Sequence, residues 1–323
     1  MEPNRRTFLH ATMGWVAGWS TASARAQASP ELKSLQIVLP TPPGSQPDVL
    51  ARWLVDPMAR RAKVPGSVLN RPGAAGAIAA DAVLAADPSS GPLLLGGLDH
   101  VAYSHVNSNR RALDPFVDFV PVGAVNRDTW VVATGAEQRA GTLPELVQAA
   151  RSGVPISYGT SGEGGTAHLL SVRLCRAIGL EAQHVPYKDS YLPDLIAGRI
   201  HFVIAPTPAV LGQIKGGRLR AIATLTDARI SVLDAVPSIR ELGWPEQVFY
   251  GGLFLFAPAA LSAHQERLNG WLAETLRQPD IAMRYHDAAI EPTPLNVEET
   301  RHAITQRLRL LDAMRIAVLG RSR

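Results

Sequence analysis

Short apolar runs that end in proline, glycine or hydroxyl residues, each followed at once by a helical pattern, recur along almost the whole chain. This limits what the chain can fold into. The run LQIVLP (35–40) meets a helix near 47–62, SVLNRPGAAG leads to another at about 76–86, and PLLLGGL (92–98) is a third strand, followed later by DFVPVGAV. TWVVATG (129–135) precedes a helix at 142–152, VPISYGT (154–160) one at 166–178, and EAQHVPY (181–187) the segment LPDLIAG. The runs IHFVIAP (200–206), LRAIATLT (219–226) and YGGLFLFAP (250–258) follow, and two amphipathic helices close the chain. Such alternation builds parallel sheets covered by helices on both faces, an α/β fold. About ten strands are too many for one compact sheet, so the order predicts two α/β lobes. The crossings fall in VPVGAVNRDTWVV and just before FYGGLFLF, giving a discontinuous first lobe (29–127 and 249–323) and a second lobe over 128–248. With 323 residues, 46% of them hydrophobic, there is enough apolar material to fill both.

The first 28 residues stand apart from this pattern. Arg5 and Arg6 open a mildly apolar stretch that ends in the small-residue sites Ala24-Arg25-Ala26 and Ala26-Gln27-Ala28, as in a cleaved secretory signal. Arg5-Arg6-Thr7-Phe8-Leu9 has the twin-arginine form. Loss of residues 1–26 removes Glu2, Arg5, Arg6 and Arg25, lowering the formal charge from +4 to +2. That is too little, and too evenly spread, to hold nucleic acid. The one cysteine, Cys175, lies in the apolar helical run HLLSVRLCRAIGL and reads as a buried, inert thiol.

Three strand-to-helix corners carry the chemistry. In IVLPTPPGSQPDVLAR, Pro40, Pro42 and Pro43 end the strand, Gly44 permits a tight turn, and Ser45 or Gln46 caps a helix with Pro47 and Asp48 in its first turn. At the carboxyl edge of an α/β sheet, amide hydrogens at a helix start form an anion site, although an ordinary capped turn has the same composition. The second corner, SYGTSGEGGTAHLL, sets Thr160, Ser161, Gly162, Gly164, Gly165 and Thr166 between strand and helix, with His168 in the first helical turn. Three glycines and three hydroxyls suit a backbone wrapped around a polar ligand. The third, VPYKDSYLPDL, puts Tyr187 and Lys188 at a strand end facing the same cleft.

Enzyme motifs fail on inspection. Gly162-x-Gly164-x-x-Ala167 satisfies the loose dinucleotide fingerprint, but Glu181 begins the next strand, where the ribose-binding acid should end it. YGTSGE lacks the last glycine of a nucleophile elbow. The nine histidines have no metal-binding spacing, and no phosphate-binding G-x-x-x-x-G-K-[ST] occurs. The residues favour a binding protein with no cofactor over an enzyme.

The corners and their order resemble the substrate-binding receptors of tripartite tricarboxylate transporters, the Bug family. PPGSQPDVLAR stands for that family's Pro-Gly-Gly-x-x-Asp-x-x-Ala-Arg corner, NRPGAAGAIAADAVLAADPSSGPLLLGG for its Gly-Ala-x-Gly segment, and DPFVDFVPVGAV for its lobe crossing. SYGTSGEGGTAHLL, HVPYKDSYLPDLIAGRIHFVI, GGRLRAIATLTDARISVLDAVPSIRELG and GLFLFAPAAL then follow in family order. The resemblance implies a two-lobed type II periplasmic binding fold. It further implies a monomeric receptor in the periplasm that holds a small carboxylate between its lobes and passes it to integral membrane permease subunits. Carried over by position, first-lobe contacts would come from Pro43, Gly44, Ser45 and Asp48. Second-lobe contacts would come from Thr160, Ser161, Gly162, Gly165, Thr166, Tyr187, Lys188 and Asp189, with Ala205, Pro206 and Thr207 completing the wall. Ser45 replaces the family's second glycine, and Asp189 stands where glycine is usual. Asp189 could pair with Lys188 or receive an amine of an amino-acid-like ligand. A sensor subunit for a signalling partner and an exported hydrolase are the rival classes.

Overall fold

A computed structural model describes residues 31–103, 111–187, 190–288 and 290–320. The leader-like segment 1–28, Lys188 and Asp189 lie outside the described residues. In chain order the elements are β1 (Leu35–Leu39), α1 (Gln46–Ala62), β2 (Gly66–Asn70), α2 (Ala77–Ala85), β3 (Pro92–Gly96) and β4 (Phe119–Ala124). Then come β5 (Asn126–Gly135), α3 (Leu143–Arg151), β6 (Ser157–Thr160), α4 (Thr166–Ile178), β7 (Gln183–Pro186), α5 (Leu192–Ile196), β8 (Phe202–Pro206), α6 (Thr207–Lys215) and β9 (Leu219–Thr224). β10 (Tyr250–Gly251), β11 (Phe254–Pro258), α7 (Gln265–Leu276), α8 (Pro279–Asp287), β12 (Glu291–Pro292) and α9 (Val297–Leu319) complete the chain.

Two sheets organise these elements. The first runs β2-β1-β3-β11-β4, with β1, β2 and β3 parallel and β11 antiparallel to both its neighbours. β1 and β3 are almost wholly buried, as strands covered on both faces must be, and α1 and α7 close one of those faces. In the second sheet β6 pairs in parallel with β7 and β8, and β5 lies antiparallel to β8 and β9.

β5 joins the sheets. Its first residues pair with β10 and β12, and its later residues with β8 and β9. The chain therefore leaves the first sheet through β4 into β5 and returns through β10 into β11. Gly252 makes this double crossing possible: it holds φ +148°, and a methyl group there would overlap the Asn126 carbonyl. This glycine also splits the expected strand 250–258 in two. A second difference lies near the carboxyl end, where three helices stand in place of two. Pro279 opens α8, and a residue preceding proline is driven out of the helical region, so α7 stops before Gln278.

α9 spans 23 residues from a capping box in which Asn296 and Glu299 satisfy each other's amides. It lies against both β4 and α4, so its apolar residues Ile304, Leu308, Leu311 and Met314 join one core that includes Val38 and Leu94 on one side and Leu169 and Leu174 on the other. The buried Arg315 donates to the Gly164 carbonyl at 2.9 Å and lies 4.6 Å over the Tyr103 ring, tying α9 to the loop before α4. Among the described residues no helix is long and apolar enough to cross a membrane.

Candidate functional site

A cavity of about 220 Å³ lies where the two sheets meet at the crossing. The start of α1 (Gln46, Pro47) and the turn after β3 (Gly97 to His100) wall it on one side, and Thr166 of α4 and Pro206 of β8 on the other. Asp128 and Trp130 of β5, Phe249 and Gly251 to Leu253 of the return crossing, and Arg307 and Leu311 of α9 form its floor. Most of this lining is apolar, and Trp130 meets Phe249 edge to face at 5.6 Å.

Two charged groups stand out. Asp128 is 5% exposed, and its Oδ1 accepts from Gln46 Nε2 at 2.8 Å and from Asn126 Nδ2 at 2.5 Å. Burial pushes its carboxyl up to about 6, against the hydrogen bond from Gln46 and the positive charge of Arg307. Burial brings the half-buried Arg307 guanidinium down to about 10, against the attraction of Asp128. Arg307 lies 5.7 Å over the Phe249 ring and 5.8 Å over Phe254, and among the described residues no hydrogen bond or ion pair holds it.

The first corner braces itself. Asp48 accepts from the Gly44 amide at 2.9 Å, from Arg52 at 2.9 and 3.1 Å, and from Asn70 at 3.0 Å. The Arg52 bond foremost, with the Gly44 amide and Asn70, holds its carboxyl down at about 2. Pro43 and Gly44 are exposed, and the Ser45 amide, expected to be free, points back at the Pro42 carbonyl at 3.3 Å. Ser45 caps α1 by position, without a side-chain bond to it.

The second corner is held by a histidine pair. Thr160 is buried with Oγ1 2.6 Å from His184 Nε2 and accepts from the Gly162 amide at 3.2 Å. His168 Nδ1 accepts from the Gly164 amide at 3.1 Å, and the two imidazoles stack at 4.1 Å. Burial and then the neighbouring His184 bring His168 down to about 4, so it is neutral at pH 7. Ser161 is exposed, Gly165 caps α4, and Thr166 reaches the cavity.

The Tyr187 hydroxyl donates to Asp194 at 2.7 Å, and its amide to the Thr160 carbonyl at 2.8 Å. Ala205 and Thr207 are buried, with Thr207 bonded to Thr129, so of this wall only Pro206 lines the cavity. Cys175 is buried, its thiol pushed up to about 12.

Thr166 and Pro206 are thus the expected residues that line the cavity, with Pro43 to Ser45, Asp48 and Thr160 to Gly165 in the loops behind or beside it. Sequence reasoning passed over Asp128 and Arg307. Arg307 had a legible sign: it falls on the apolar face of α9, three residues after Ile304 and four before Leu311, where a charge requires a partner.

Residues 50–315 match the family described as the tripartite tricarboxylate transporter family receptor. Protein BugT of Bordetella pertussis is 30% identical over 292 residues, covering 85% of this chain and 86% of BugT. The periplasmic binding protein BugD superposes with a TM-score of 0.76 at 22% identity, over 90% of this chain and 98% of that one. An R. palustris protein solved with adipate gives 0.78 at 24% identity, again over 90% and 98%. These two structures speak to the fold, a two-lobed periplasmic binding architecture with its cleft between the lobes. The chain belongs to the tripartite tricarboxylate transporter receptor family, the Bug family of solute-binding proteins.

Proposed function

We propose that the chain is an exported, monomeric receptor that closes two lobes, 29–127 with 249–323 and 128–248, around a small organic carboxylate. It then presents that ligand to integral membrane subunits of a tripartite tricarboxylate-type permease. Residues 1–28 act as a leader removed on export to the periplasm. The observation that carries this reading is the Arg307 guanidinium lining the inter-lobe cavity with no hydrogen bond or ion-pair contact among the described residues, where a carboxylate would complete it. The Thr166 hydroxyl on the cavity wall supplies a further donor. Closure needs no chemistry: a ligand that touches both lobes stabilises only the state in which they meet around it.

The test is a thermal-shift screen of the purified chain against mono-, di- and tricarboxylates and amino acids, followed by NMR of the bound compound after long incubation. A ligand at about 100 times its Kd adds about 2.7 kcal/mol of stability, a shift such a screen reads easily. Recovery of that compound unchanged is expected. Turnover of the compound would make the chain an enzyme, and a shift that survives Arg307→Gln would move the site elsewhere.

A further inference from the structure

Two opposite charges face one cavity and attract each other across it without touching. Asp128 and Arg307 both line it yet form no ion pair with each other or with any described residue. Asp128 leans on two neutral amide groups, those of Gln46 and Asn126, which both reach the same oxygen. Arg307 leans on the faces of Phe249 and Phe254. Among the described residues the lining also holds Asp99 and His100, in the turn after β3, where His100 Nδ1 lies 3.5 Å from Asp99. A buried ion without a partner costs several kcal/mol. A cavity that sets Asp128 and Arg307 apart within a mostly apolar lining is complementary to a molecule bearing both charges.

We infer that the ligand is a zwitterion, an amino acid with an apolar body, whose carboxylate meets Arg307 and whose ammonium meets Asp128. This rests on the receptor reading above and narrows its ligand. A plain monocarboxylate would satisfy Arg307 but stand near the ionised Asp128, and a dicarboxylate would bring a second negative charge into the same space. A plain amine would leave Arg307 unanswered. The body of the ligand lies against Trp130, Phe249, Leu253 and Leu311, and a cavity of about 220 Å³ restricts it to a small molecule. Asp128 and Arg307 are therefore the specificity-determining residues, one on the strand that joins the sheets and one on the helix that spans them.

The experiment is calorimetric titration of the purified chain with leucine, phenylalanine and 6-aminohexanoate. Each is compared with the acid lacking its amino group and the amine lacking its carboxyl group, and succinate and adipate serve as dicarboxylates. At least one amino acid is expected to bind tenfold or more tighter than both of its truncated forms and than either dicarboxylate. Asp128→Asn keeps an acceptor for Gln46 and Asn126, and should cut the amino-acid affinity at least tenfold while leaving or improving that of the des-amino acid. Arg307→Gln should weaken both. Circular dichroism and unfolding midpoints establish that each variant is folded. For a misfolded Asp128→Asn, the truncated-ligand series on the unaltered chain decides alone. Des-amino acids or dicarboxylates binding as tightly as the amino acids overturn the inference and leave the receptor reading standing. Silence from every compound, amino acids included, overturns both.

Discussion

Replacing Asp48 by Asn separates a loop brace from a ligand contact. The carboxylate is 3% exposed and accepts four hydrogen bonds, from the Gly44 amide, twice from Arg52, and from Asn70. Its pKa, lowered from 3.8 to about 2, measures how much better the fold holds the charged form than the unfolded chain does. At about 1.4 kcal/mol per pKa unit, that difference corresponds to roughly 2.5 kcal/mol. The Arg52 side chain is 54% exposed, so solvent screens the largest contribution and about 1–2 kcal/mol is expected. Because the folded value lies below the unfolded one, this stability is fully present above pH 4 to 5 and disappears as pH falls toward 2. Urea unfolding of both proteins should therefore show Asp48→Asn weaker by about 1–2 kcal/mol at pH 7, with the gap closing near pH 2.5. Ligand affinity should change less than tenfold, through loosening of the Gly44 turn alone. Equal stability at pH 7 together with abolished binding would refute this account and place Asp48 against the ligand.

Other perturbations act on groups with different energetics. Asp128 has the opposite sign: its folded pKa of about 6 exceeds the unfolded 3.8, so its contribution is favourable below pH 3.8 and lost as pH rises through 6. Burial outweighs the help of Gln46, Arg307 and Asn126, so the ionised carboxylate costs stability at neutral pH. Asp128→Asn should thus stabilise the unliganded chain by about 1–3 kcal/mol at pH 8 and by nothing measurable at pH 4. Destabilisation at pH 8 in a denaturant titration would mean that Arg307 already compensates the charge. His168 is kept neutral down to about pH 4 against an ordinary 6.5, so stability should fall as pH drops through that window. His168→Gln should flatten the fall by up to about 3 kcal/mol, and an unchanged pH slope would contradict its burial as a neutral ring. Gly252→Ala forces a side chain into φ +148° and onto the Asn126 carbonyl, and should cost at least about 2 kcal/mol by urea unfolding. A loss of under half a kcal/mol would show that the crossing can relax.

Much of the architecture was legible because it is written locally. Pro40, Pro42 and Pro43 forbid a longer β1 whatever surrounds them, and Pro47 and Asp48 begin α1 for reasons contained within one turn. The alternation of buried strands with amphipathic helices needed no distant information to indicate a two-sheet α/β chain. The elements that were misread depend on conformations the residue pattern does not announce. Gly252 could have continued a strand through 250–258, but the close approach of Asn126 turns it to positive φ and breaks the strand. The apolar spacing persists across Gln278 and Pro279, which hides the boundary between α7 and α8.

The site was legible only as an inventory of donors. Glycines and hydroxyls at a strand end indicate that amides will be available, but not which acceptor takes them. At the first corner the Asp48 carboxylate takes the Gly44 amide and the Pro42 carbonyl takes that of Ser45. At the second, His168 takes the Gly164 amide and Thr160 that of Gly162. These acceptors lie within four residues, so turn geometry alone can satisfy the donors before any ligand arrives. The charges that make no ion-pair contact among the described residues are those that topology brings to one cavity from afar: Asp128 at the start of a joining strand and Arg307 midway along the last helix. No spacing rule relates two such positions. What the sequence does contain is an arginine on an apolar helix face, and a charge placed there is a more discriminating mark of a binding site than a glycine-rich corner, because a fold can satisfy its own amides nearby but can offset a charge only with another charge brought from elsewhere.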